Sequence, residues 1–337
     1  MKVSAPGKLI LSGEHAVVYG KPALAFAIDA YATTTLVLEE SAEFKLTLAD
    51  LGESHRFHYE ELLQLAQSIQ NKYIRFQQGE INIRDVLSQP HRLAIFALAM
   101  SLKNIGIKAY SGMHIDVSSS LPIGAGAGSS AAIIISLMYA IPQFFKKSLN
   151  QNQIFQMALN AENMQHGVSS GLDINISLHG GCFYYKKGHM AMRQPPMLPM
   201  YRVETGKPDT TTGECIAAAA RYFANSSLAT DFEAVTDSLD KLLLSSYTVN
   251  DVKKLIRINH ELLVMIGVVP VKIQQFVKEI EAINSAAKIC GAGAICGDQA
   301  GTVLVISEDF AALQTLCARY HYAVTPVKVA MRGVYVV

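Results

Sequence analysis

The order of apolar and polar positions divides this chain into short strands and amphipathic helices. The opening residues predict a strand, a glycine turn and another strand. Residues 30–39 have the β-branched content of a further strand, and residues 43–48 alternate apolar with polar. Across residues 60–78, Leu62, Leu65, Ile69, Tyr73 and Phe76 recur at helical spacing. Residues 90–103 predict a second helix, with Pro90 at its start and Gly106 just beyond its end. Met113, Ile115 and Val117 then alternate, giving a strand that delivers the chain into a glycine-rich loop. The run AAIIISLMYAI after that loop reads as a buried helix, and residues 151–165 as another. The turn GVSSGLD follows, then a short strand at residues 180–185.

Residues 194–199, QPPMLP, hold three prolines in six positions and mark a candidate domain junction. Beyond them the pattern predicts a strand at 200–204 and helices at 214–224, 232–244, 251–264 and 271–287. The glycine-rich GAGAICGDQAG follows, then a strand at 302–307, a helix at 310–320 and terminal strands. No internal repeat or low-complexity segment is present.

Composition narrows the class. A length of 337 residues suits about two domains, and with half the residues hydrophobic a sizeable core can be buried. A net charge of +1 gives no electrostatic footprint for nucleic acid or an anionic membrane. The first residues are not a signal peptide, because Gly7, Lys8, Gly13 and Glu14 break the apolar run. The most apolar helix is too short to span a bilayer. The five cysteines are scattered, without metal-binding spacing, so reduced thiols in a cytoplasmic protein are expected.

The most informative segment is PIGAGAGSSAA at residues 122–132. A backbone this bare can curl its N–H groups around a bulky anion, and the helix after it aims its free N–H groups and dipole at the same place. It is not a Walker A loop, which needs Lys where Gly128 stands. It is not a dinucleotide fingerprint either: Ser129 takes the place of a third glycine, and the region that should supply an acid reads Phe144-Phe145-Lys146. The bland alternative is a small-residue loop that lets a helix pack closely on a strand.

Other residues invite chemistry. Glu162 lies beside the apolar stripe of its helix, where a carboxylate needs a partner: a Mg²⁺ ion, or an ordinary salt bridge. Asp173, on a glycine-rich turn, is either a base aimed at a hydroxyl or a plain turn residue. Lys8 in APGK is a phosphate contact, a tuner of a carboxylate, or a solvated surface lysine. Glu14 and His15 sit where a turn gives way to an apolar strand. His166 reads as a helix C-terminal cap suited to the dipole. Among Thr210, Thr211 and Thr212, a helix N-cap is the first expectation.

Together, APGKLILSGEHAVVYGKPALA (residues 5–25), LPIGAGAGSSAA (121–132) and AEN…GVSSGLD (161–173) resemble the GHMP kinases. That resemblance implies an α+β fold of two domains. Residues 1–190 would form one like ribosomal protein S5 domain 2, and residues 200–337 a ferredoxin-like one, with ATP and the acceptor meeting between them. It implies Gly124, Ala125, Gly126, Ala127, Gly128, Ser129 and Ser130 around the ATP phosphates. Ser130 and Glu162 become Mg²⁺ ligands, and Asp173 and Lys8 the catalytic pair. Glu14, His15, Thr211, Gly291, Ala292 and Gly293 fall on the acceptor side. The GEHAVVYGKPALA form is similar to the branch that phosphorylates mevalonate. Phosphomevalonate, a sugar, or a silent ligand sensor are the alternatives, since the third motif reads GAGAICGDQAG rather than GAGGGGC. Relatives include homodimers, so a homodimer is a further expectation.

Overall fold

A computed structural model describes residues 1–107, 112–224 and 227–337. The strands are β1 (Lys2–Ser12), β2 (Ala23–Leu38), β3 (Phe44–Leu48), β4 (Glu53–Phe57), β5 (Met113–Ser119), β6 (Cys182–Lys186), β7 (His189–Arg193), β8 (Met200–Glu204), β9 (Ala286–Cys290), β10 (Thr302–Ile306), β11 (Ala323–Pro326) and β12 (Tyr335–Val336). The helices are α1 (Tyr59–Gln77), α2 (Ile83–Leu87), α3 (His91–Asn104), α4 (Ser129–Phe144), α5 (Gln151–His166), α6 (Leu172–His179), α7 (Thr212–Ala224), α8 (Leu228–Leu243), α9 (Val249–Met265), α10 (Val271–Ala282) and α11 (Phe310–Arg319).

Eight strands form the first sheet, in the order β12-β1-β2-β5-β3-β4, with β6 paired to β2 and β7 to β6. Its pairs are antiparallel except β3–β5, which are parallel and joined by a crossover through β4 and helices α1, α2 and α3. The second sheet runs β11-β8-β10-β9 and is antiparallel throughout. Numbered within that sheet, the order is 4-1-3-2, the ferredoxin-like arrangement. The chain then returns to the first sheet: Asp29 N–H donates to Lys328 O at 2.9 Å, and β12 pairs with β1.

The apolar run after the glycine loop forms α4, buried against β1, β2, α3 and α5. Burying Ile134, Ile135, Leu137, Met138 and Ile141 contributes roughly 1.5–3 kcal/mol apiece. The polar pair Thr34–Ser136, 2.7 Å apart, is satisfied inside that core.

Several sequence expectations need correction. The first strand runs unbroken through Lys2–Ser12, with a register irregularity between Pro6 and Gly7. Of the strand expected at 30–39, residues 30–38 belong to the second half of the 16-residue β2 and form no separate strand. After Glu14 and His15 the chain enters a short 3-10 helix (Ala16–Tyr19) rather than a strand. The helix predicted to reach residue 287 stops at Ala282, because the buried run AAKIC belongs to β9. The short elements α2, β4 and β7 carried too little periodicity to be foreseen.

Candidate active site

Three glycine-bearing segments meet behind the site. They are Gly7 of β1, the loop leading into α4, and the loop after β9. A Cβ on Gly126 would stand 2.1 Å from Cys290 O, one on Gly7 2.6 Å from Ala127 O, and one on Gly128 2.8 Å from Lys8 Cγ. Lys8 N–H donates to Ala127 O at 2.9 Å, which fixes the loop to β1. Close packing, the bland alternative, therefore accounts for part of this glycine pattern. It does not account for all of it. Gly128 is left-handed, and no side chain among the described residues caps α4. The first-turn N–H groups remain the donors a helix offers an anion. The buried hydroxyl of Ser129 also has no partner among the described residues.

The loop borders a cavity of about 590 Å³. Lys8, Glu14, His15, Gly124, Ala125, Gly126, Gly128, Ser129, Ser130, Glu162, Asp173, Thr211, Gly291, Ala292 and Gly293 all line it. Of the residues nominated from sequence, Ala127 alone is off the wall; it is buried behind the loop.

Lys8 comes from β1 and Asp173 from the first turn of α6, not from a free turn as expected. Their side chains pair at 3.1 Å, Lys8 only 4% exposed and Asp173 more open. Burial works against the lysine's charge, but Asp173, with Cys290 and Glu14, outweighs it and raises the pKa above its usual value. Lys8 is thus a charged, buried ammonium and not a surface lysine.

Glu162 is buried on α5 and accepts a hydrogen bond from the Ser169 hydroxyl. Burial, and then the nearby Asp173 charge, push its carboxyl up to about 8, against the opposing pull of Ser169 and Lys8. Once it gives up its proton, this carboxyl, with the Ser130 hydroxyl on the same cavity wall, offers the hard oxygen donors that suit Mg²⁺.

Glu14 and His15 are held by a strained turn. His15 has φ 60° and ψ −53°, and Ala16 N–H donates to Glu14 O at 2.6 Å, a γ-turn of the rare positive-φ kind. Glu14 pairs with the buried Lys288 of β9. His15 Nε2 bonds Ala292 O at 2.9 Å, while Nδ1 has no partner among the described residues. Burial, only partly offset by the Ala292 bond, lowers its pKa to about 4, so the ring is neutral. With Nε2–H donated, Nδ1 is left as an acceptor.

Thr211 N-caps α7, as first expected, its hydroxyl donating to Glu214 at 2.9 Å, so its side chain is already engaged at the cavity edge. His166 is no cationic cap: burial lowers its pKa to about 4, and it lines the cavity as a neutral ring.

Residues 92–181 match the family model described as the GHMP kinases N terminal domain. The mevalonate kinase of Archaeoglobus fulgidus is 31% identical over 296 residues, covering 87% of this chain and 89% of its own length. That of Pyrococcus horikoshii is 30% identical over 299 residues, covering 86% and 85%. The chain belongs to the mevalonate kinase family. In fold it is similar to the crystal structure of the Methanococcus jannaschii mevalonate kinase, with TM-score 0.79, 24% identity and 98% of each chain covered.

Within this family frame, several cavity residues escaped the sequence reading. Ser169 was seen only as part of a turn, yet it is the hydrogen-bond partner of Glu162. Lys207 and Arg84 bring further positive charge to the wall, and Gln165 presents a buried oxygen with no partner among the described residues. Lys288 had a readable signal: a lone lysine inside the apolar run AAKIC needs a buried anion.

Proposed function

We propose that this chain transfers the terminal phosphoryl group of ATP to the hydroxyl of mevalonate, giving 5-phosphomevalonate in the mevalonate pathway of isoprenoid biosynthesis. The observation that carries this reading is the Lys8–Asp173 pair at 3.1 Å, on the same cavity wall as the glycine loop. Phosphoryl transfer needs positioning and charge neutralisation more than covalent chemistry from the protein.

In this reading the loop from Gly124 to Ser130 and the N-terminus of α4 hold the phosphates. The apolar wall of Leu48, Leu51, Leu93, Val117 and Ile133 receives the adenine. Asp173 orients the acceptor hydroxyl and takes its proton, and Lys8 neutralises charge on the group in transit. Ser130 and Glu162 would hold Mg²⁺, which when bound neutralises charge on the phosphates. Glu14 Oε2 and His15 Nδ1 are acceptors for groups on the mevalonate, beside Gly291, Ala292 and Gly293. Thr211 stands at the cavity edge. The lobes 1–190 and 200–337 would frame the cleft.

Among the described residues, no helix is long and apolar enough to cross a membrane. All five cysteines are free, which suits a reducing cytoplasm.

Purified protein with ATP and Mg²⁺ should release ADP with mevalonate in preference to phosphomevalonate, galactose or homoserine. Turnover with one of those others, but not with mevalonate, would replace the acceptor while keeping the reaction class. No turnover with any of them would leave a ligand sensor.

A further inference from the structure

Among the described residues, Glu53, His55 and His91 form the one group of three metal-ligating side chains whose donor atoms all lie within 4.8 Å of one another. None belongs to the catalytic set. Glu53 and His55 are alternate residues of β4, so the pleat places them on one face of the strand. His91 is the first residue of α3. His55 Nε2 lies 2.9 Å and His91 Nδ1 2.7 Å from the same oxygen, Glu53 Oε2. The two rings sit with centroids 4.3 Å apart.

As ion pairs, contacts this exposed contribute little, because solvent screens them. As ligands, they are a chelate already gathered. Two imidazole nitrogens and one carboxylate oxygen are the donors of three-ligand zinc sites, where water takes the open position. No lysine or arginine pairs with Glu53 among the described residues, so its charge is available to a cation. The side chains are 36%, 29% and 14% exposed for Glu53, His55 and His91, which leaves one side of the cluster open to water.

We propose that Glu53, His55 and His91 bind a divalent transition-metal ion, Zn²⁺ by preference, at a site separate from the Mg²⁺ position. Imidazole donors select zinc-like ions, whereas Mg²⁺ takes oxygen ligands. To ligate, each imidazole turns an unprotonated nitrogen toward the ion and carries its proton on the other ring nitrogen. Leu48, Asp50 and Leu51 ahead of β4, and Gln89 and Pro90 ahead of His91, line the cavity. The ion therefore ties the β3–β4 hairpin to the start of α3 at the cavity rim.

The test uses the full chain, free of any affinity tag and stripped with a chelator. ZnCl₂ is titrated calorimetrically in excess Mg²⁺, and Co²⁺ loading is followed by visible absorption. One Zn²⁺ per chain is expected, undisturbed by Mg²⁺. His55→Ala and His91→Ala should each weaken binding more than about 10-fold, the least that losing even an outer-shell partner costs. Glu53→Gln should weaken it too, with circular dichroism unchanged because all three side chains are partly exposed. Absence of stoichiometric Zn²⁺ binding overturns the proposal. So does binding that survives both histidine variants, or that is lost instead in Cys296→Ser, the exposed thiol.

Discussion

Glu14 and Lys288 are an ion pair sealed from solvent, with side chains 1% and 0% exposed. Lys288 also donates to Ile10 O and Ile289 O, both at 3.0 Å. Lys288 therefore holds Glu14 Oε1, while Oε2 of this cavity-lining residue is buried without a partner among the described residues. Burial raises the Glu14 pKa, and Lys288 is the main force against that rise. Lys288→Met should destabilise the fold by about 3–5 kcal/mol in urea unfolding, the usual cost of stranding one buried charge. The double variant Glu14→Gln with Lys288→Met should recover much of that stability but not the activity. Full recovery of both would mean that Glu14 has no part in the reaction.

Asp173→Asn keeps the shape and removes the base. The expected result is a loss of about 10²–10⁴-fold in kcat, with KM for ATP little changed and a lowered melting temperature, because the buried Lys8 ammonium loses its charged partner. ADP release under saturating substrate reads it. Turnover near the parent rate would remove Asp173 from the chemistry.

The glycine loop separates packing from conformation. Gly124 and Gly126 both have positive φ, 71° and 82°, but only Gly126 lies against backbone. The nearest atom to a Cβ on Gly124 is Lys207 Cε at 4.0 Å, whereas on Gly126 it is Cys290 O at 2.1 Å. Gly124→Ala should cost about 1–2 kcal/mol from strain alone. Gly126→Ala adds a backbone clash and should exceed it by about 1–3 kcal/mol, with a steeper fall in ATP affinity. Paired thermal melts and nucleotide titrations of the two variants make the comparison.

Acid should weaken the fold through its buried histidines. Burial holds His15 and His260 at about 4; the Ala292 bond moderates the effect at His15, and the Lys288 charge adds to it at His260. As pH falls below about 6.5, the unfolded chain takes up protons that the folded chain refuses. Stability is intact above that point and lost progressively down to about pH 4, by at most roughly 3 kcal/mol per residue. Glu162, held at about 8, acts in the opposite direction over the same range, so the test is the difference: between about pH 7.5 and pH 5 in urea, His260→Gln should lose less stability, or gain more, than the parent.

Much of this site was legible because its parts are local. The loop from Gly124 to Ser130 and the pair Glu14–His15 sit in short segments whose composition alone is unusual. Glu162 betrayed itself as a carboxylate beside an apolar stripe. What could not be read was set by distant partners. Ser169 matters only because α5 ends where it can reach Glu162. His166 looked like a cationic cap until the cavity wall closed around it. The same holds for the fold: α4 follows from its own side chains, whereas β9 reads as the tail of a helix, because burial on the second sheet overrides the local pattern in AAKIC.

The contact between Gly126 and Cys290 has a consequence for how such a protein can be shuffled. One half of the seam is inherited with the N-terminal lobe and the other half with the C-terminal lobe. A chimera that joins residues before 194 to the C-terminal part of a relative has to reproduce the path of the Cys290 carbonyl to within a fraction of an ångström. Without that match, the donor's loop after β9 lifts the graft off the glycine loop, however well each half folds.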